Sequence, residues 1–105
     1  MRKKGDCFEI AGRNVMEHKG WKLCHGTVSG QGHLEGKRFD HAWNEEGDIV
    51  FDNSNGRDIV MRKERYYELG KISDVKRYTR EQAMKLMLKT KNFGPWEVEK
   101  WKWQL

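Results

Sequence analysis

Apolar positions recur at helical spacing near both ends of the chain and alternate through its middle. Phe8, Ala11 and Val15 define one face of a first helix. Asp6 is a favourable N-cap with Glu9 three residues on, the arrangement of a capping box. His18 and Lys19 suit the negative end of that helix, and Gly20 ends it. Trp21 to Val28 reads as a strand, and residues 29–36 form a glycine-rich loop. Across residues 38–52 the alternation puts Phe39, His41 and Trp43 on one face of a strand, with Asp48, Val50 and Asp52 facing the same way on the next. A two-residue turn at Glu46-Gly47 pairs 45 with 48, and therefore His41 with Asp52, close enough for side-chain contact. A four-residue turn keeps that register and a three-residue turn shifts it by one. Asn53-Ser54-Asn55-Gly56 turns the chain again.

Asp58 to Met61 is a short candidate strand, residues 63–70 a single helical turn ending at Gly70, and Ile72 to Tyr78 a last strand. Thr79 and Gln82 make a second capping box. It opens a helix through about Lys89, with Ala83, Met84, Met87 and Leu88 expected inward. Phe93-Gly94-Pro95-Trp96 breaks that helix. The pattern predicts an α+β fold: an N-terminal helix on an antiparallel sheet of four or five strands, with a C-terminal helix.

The 105 residues suit one domain. Its core is expected over about 5–93, with a tryptophan-rich tail over 94–105 that folds over the sheet, mediates an interface or is partly loose. A charged fraction of 35% against 36% hydrophobic is polar for a globular chain, and five Trp, four Phe and three Tyr offset it by burying large areas. No apolar run is long enough to span a membrane. No apolar segment follows the basic start Met1 to Lys4, so a secretory signal is not expected. A cytoplasmic location with free thiols at Cys7 and Cys24 is the expectation. The net charge of +5 permits contact with nucleic acid or an acidic protein. The basic residues are dispersed and form no DNA-reading motif, so nucleic acid is not the favoured partner.

The candidate chemistry centres on the hairpin. A carboxylate beside an imidazole orients the ring and raises its basicity. Cys7, first residue of a capped helix, is placed to complete the set. Backbone N–H groups and the macrodipole favour a thiolate there, and thiolate plus imidazole is the activated pair of nucleophilic catalysis. The same helix start can offer a backbone N–H to an oxyanion, with Gln31 and Asn44 as candidates for the second donor.

A cysteine opening a helix, then His41-Ala42-Trp43 on a strand, then Val50-Phe51-Asp52 closing a hairpin, resembles the core of the transglutaminase-like branch of papain-fold cysteine enzymes. Asp52 to Gly56 and Tyr66 to Gly70 resemble segments that follow the aspartate in that branch, and short members of this kind occur in bacteria and phages. Asp6-Cys7 also resembles the NlpC/P60 peptidases, but the His-Ala-Trp hairpin favours the former branch. The resemblance covers residues 5–78. It implies Cys7 as nucleophile, His41 as base and acid, Asp52 as orienting residue, and acyl transfer at an amide or ester of a peptide or protein. The glutamine that precedes the cysteine in papain-like proteases has no counterpart.

Other readings compete with each residue. Cys7 can be a buried small hydrophobe, His41 a core histidine, and Asp52 a turn residue capping Ser54 or Asn55. Trp43 reads as core and as a wall of the site more than a substrate platform. His25 reads as a surface residue. No cofactor is expected, and no Cys-x-x-Cys or His-x₃-His spacing supports a metal. The alternative function is a catalytically vestigial binding protein of the same fold, engaging a protein or nucleic acid through its basic surface and tryptophan-rich tail. Oligomeric state is not legible in the sequence.

Overall fold

The computed structural model describes residues 6–30, 36–54 and 56–96. These form, in chain order, α1 (Cys7–Glu17), β1 (Lys22–Ser29), β2 (Arg38–Glu46), β3 (Ile49–Asp52), β4 (Ile59–Arg62), α2 (Lys63–Gly70), β5 (Ser73–Tyr78) and α3 (Arg80–Thr90). The strands make one antiparallel sheet in the order β4-β3-β2-β1-β5. This is the α+β architecture expected from the pattern. Helix α2 spans residues 63–70 in full rather than a single turn. It lies between β4 and β5 in the chain, and β4 and β5 hold opposite edges of the sheet.

Strand alternation feeds two cores. Leu23, Ala42 and Tyr78 pack with Cys7, Ala11 and Val15 of α1 and with Ala83 and Leu86 of α3. Their neighbours Cys24, Val28, Trp43 and Val50 pack with Tyr66 of α2. The register is consistent with this division, since Leu23 faces Asn44, Cys24 faces Trp43 and His25 faces Ala42. Trp96, placed in the tail by the sequence reading, belongs to the α1–α3 core and donates from its indole nitrogen to Thr90 and Asn92. The rest of the tail lies outside the described residues.

The helix ends differ in an instructive way. At α3 the capping box forms: Gln82 N–H donates to Thr79 Oγ1 at 3.1 Å and Thr79 N–H to Gln82 Oε1 at 3.0 Å. At α1 it does not. Asp6 sits at φ −87°, ψ 10° with no side-chain cap bond, and Glu9 instead accepts from Arg13 one turn on, at 2.9 Å. Helix α3 is also rotated from the expected setting. Ala83 and Leu86 are buried, Met87 is partly so, and Met84 and Leu88 are exposed.

Candidate active site

The hairpin turns at Gly47–Asp48, one residue later than expected, with Gly47 at φ +57°. That conformation suits glycine, and a two-residue turn of this hand matches the strand twist. The register is therefore Glu46 with Ile49, Glu45 with Val50 and Asn44 with Phe51. Every partner moves by two positions from the expected pairing. A shift of two leaves each side chain on its original face. His41 and Asp52 consequently meet on a diagonal instead of directly opposite, and His41 Nε2 lies 2.9 Å from Asp52 Oδ2.

The pairs of the β2–β3 ladder end at Asn44–Phe51, whereas β1 pairs with β2 along its length. Cys7 starts α1, on the sheet face of Ala42, while His41 alternates onto the face of Trp43. Where β2 and β3 part, the two approach, and the Cys7 side chain is a hydrogen-bond partner of His41. Asp52 occupies Nε2, which leaves Nδ1 for the thiol. The seam lined by Cys7, Asp52 and Ser54 is too narrow to hold a water.

Asp52 is itself held from several sides. Tyr66 Oη donates to Oδ2 at 2.6 Å, while Ser54 donates to Oδ1 through Oγ at 2.7 Å and through its N–H at 3.2 Å. The turn role for Asp52 and its role as partner of His41 are thus fulfilled together. Burial opposes ionisation of this carboxyl, but the bond and charge of His41 and the donors Tyr66 and Ser54 outweigh it and bring its pKa down to about 2. Burial likewise disfavours the imidazolium. Hydrogen bonds and charge attraction to Asp52 and Cys7 more than compensate, and the pKa of His41 rises to about 9. The phenol of Tyr66 is pushed well above its ordinary range by burial and by the Asp52 charge.

The other residues singled out in the sequence fare differently. Trp43 is 1% exposed, so it cannot be a surface on which substrate lies. It forms a wall beside His41, ring centroids 6.2 Å apart. Asn44 is equally buried, and its amide donates to the backbone carbonyls of Ala11 at 2.9 Å and Lys22 at 3.2 Å. Asn44 thus ties α1 to the sheet, and both hydrogens of its side-chain amide are engaged by these carbonyls. Gln31 lies outside the described residues. His25 is 5% exposed rather than on the surface.

Two residues that matter here escaped the sequence reading. Tyr66 had a signal only in the Tyr-Tyr segment of the resemblance. Glu45 had none, because a carboxylate on a strand reads as solvent-facing. It is buried and accepts from Trp43 Nε1 at 2.9 Å, Tyr67 Oη at 2.5 Å and Arg77 Nε at 2.9 Å. Burial opposes its charge, yet these donors hold its pKa below the usual carboxylate range. The network fixes Trp43 and, through it, the wall behind His41.

Among the described residues, no helix is long and apolar enough to cross a membrane. No protein-family model, curated protein or solved structure matches the chain.

Proposed function

We propose that Cys7, His41 and Asp52 act as a thiol-based acyl-transfer triad. The observation that carries this reading is the unbroken chain of contacts from Cys7 to His41 to Asp52, with Asp52 anchored at both oxygens. A nucleophile, a base that reaches it and a third group that orients the base are what such chemistry requires.

In this mechanism Cys7 reacts as a thiolate paired with the His41 imidazolium. Its sulfur bonds to the carbonyl carbon of an amide or ester, and the electron pair of the C=O moves onto oxygen. First-turn N–H groups of α1, which lack intrahelical acceptors, face the developing charge. As the carbonyl re-forms, the C–N or C–O bond breaks and His41 Nδ1 gives its proton to the leaving group. Water or an amine then attacks the thioester and surrenders a proton to the same nitrogen. The thiolate departs and the starting ion pair is restored. Throughout, Asp52 keeps Nε2–H in place and stabilises the imidazolium.

The competing reading is a buried His–Asp pair that only holds β2 to β3, beside an inert thiol. Iodoacetamide alkylation of Cys7 across pH separates the two. The triad predicts alkylation near pH 6 faster than that of a free peptide thiol, and about tenfold slower alkylation in His41→Ala. Alkylation at the peptide rate, unchanged by His41→Ala, would remove the triad and leave a binding role for the fold.

A further inference from the structure

A cavity of about 550 Å³ opens beside the start of α1. It is lined by Phe8, which follows Cys7, by Asp40, which precedes His41, and by Gly26, which pairs with His41 across β1 and β2. Its volume is within the range of small-ligand sites, and its position is adjacent to the proposed nucleophile and base.

The walls are aromatic. The rings of Phe8 and Trp96 pack on His25 with centroids 4.8 and 5.1 Å away. The imidazole of His25 forms the floor, and neither of its nitrogens has a hydrogen-bond partner among the described residues. Burial, and to a lesser degree Lys76, pushes its pKa down to about 3, so the floor carries no charge at neutral pH.

The rim is acidic. Asp40 and Asp74 are exposed, and neither hydrogen-bonds or ion-pairs with another described residue, whereas Lys76 has an interaction of its own. Asp74 owes its position to a β-bulge. Thr27 pairs with Ser73 and His25 with Lys76, so Asp74 and Val75 together stand opposite Gly26. Asp74 adopts φ +54°, a left-handed conformation that aspartate tolerates better than most residues. Bulges re-aim side chains in this way beside functional sites. On a chain of net charge +5, two carboxylates against the single cation Lys76 around an aromatic pocket are a local inversion of sign.

We propose that this pocket receives a cationic side chain, ammonium or guanidinium, of the acyl substrate. The cation lies between Asp40 and Asp74, and its aliphatic stem rests on Phe8 and Trp96. That the occupant belongs to a substrate rests on the Cys7 reading above; that the pocket selects a cation does not.

The test uses Nα-acetyl-arginine methylamide and its neutral isostere, the citrulline compound. Binding of each to full-length Cys7→Ala protein is measured by calorimetry. The arginine compound should bind about tenfold more tightly, with the preference shrinking as salt rises. Asp40→Asn with Asp74→Asn should abolish the preference. Equal affinities, or no binding of either compound, would overturn the pocket assignment. The ethyl esters of the same two acids are then offered to the protein with Cys7 intact. A binding preference without ester cleavage or acylation of Cys7 retains the cation pocket and rejects the nucleophile reading.

Discussion

Asp52→Asn isolates the His41–Asp52 pair, because it removes the charge while nearly preserving the shape. Asp52 is 4% exposed and its carboxylate takes up His41, Tyr66 and two donors of Ser54. The fall of its pKa from 3.8 to about 2 corresponds to roughly 2–3 kcal/mol. The rise of His41 from 6.5 to about 9 corresponds to roughly 3–4 kcal/mol. These are largely one interaction seen from its two ends and do not add. The His41 figure also contains the attraction to Cys7, so the smaller one is the better ceiling for the pair. The depressed carboxylate contributes stability above about pH 4, lost as pH falls through about 2. The raised imidazole contributes stability below 6.5, lost as pH rises through about 9. The full contribution therefore spans roughly pH 4 to 6.5. In Asp52→Asn, urea unfolding at pH 6 should show a loss of about 2–3 kcal/mol. NMR titration of the ring protons should place His41 near 9 in the parent protein. In the variant it should fall well below that, toward 6.5, because only the attraction to Cys7 is left to oppose burial. A His41 that titrates near 6.5 in the parent protein would refute the reasoning. So would parent and variant stability curves that run parallel between pH 6.5 and 9.

Tyr66→Phe removes a 2.6 Å bond to a buried carboxylate and should cost about 1.5–3 kcal/mol in urea unfolding, with acid unfolding beginning at higher pH. Asn44→Ala leaves the carbonyls of Ala11 and Lys22 without this donor and opens a void; a thermal or urea melt should show about 2–4 kcal/mol lost, and a cost below 1 kcal/mol would mean that α1 is held by apolar packing alone. Gly26→Ala puts a Cβ 2.8 Å from the Trp43 ring and 3.2 Å from the Ser73 carbonyl, so it should destabilise by about 1–3 kcal/mol and alter the near-UV circular dichroism; a neutral result would show that the bulge yields freely.

The His41–Asp52 contact was legible although the register was not. Gly47 was correctly a turn residue, but choosing between Glu46-Gly47 and Gly47-Asp48 depends on how both strands pair with β1 and β4, which no local pattern encodes. The shift keeps His41 and Asp52 on one face because the side-chain period is two. The α1 cap fails for a comparable reason: Glu9 has two possible partners of similar strength, and Arg13 takes it. Met84 and Leu88 were assigned inward by apolarity alone. The face that α3 buries is set by its docking against α1, β1 and β5, and this favours Ala83 and Leu86. His25 reads as a surface group because polarity normally means exposure, and the same rule gives no reason to single out Glu45. His25 is enclosed by rings of Phe8, Tyr78 and Trp96, and Glu45 is satisfied by donors from β2, α2 and β5, the most distant of them, Arg77, 32 positions away in sequence.

The sequence by itself determined the α+β class, the element order, Cys7 at the head of α1 and the common face of His41 and Asp52. All of these follow from local periodicity, capping and turn chemistry. Only the tertiary structure decided that β5 joins the sheet beside β1, that Cys7 reaches His41 where β2 and β3 part, and that Tyr66 secures Asp52. It alone brought Trp96 over His25 and the bulged Asp74 near Asp40. These contacts join segments distant in the chain, and packing selects them from many pairings that local propensity leaves equally open.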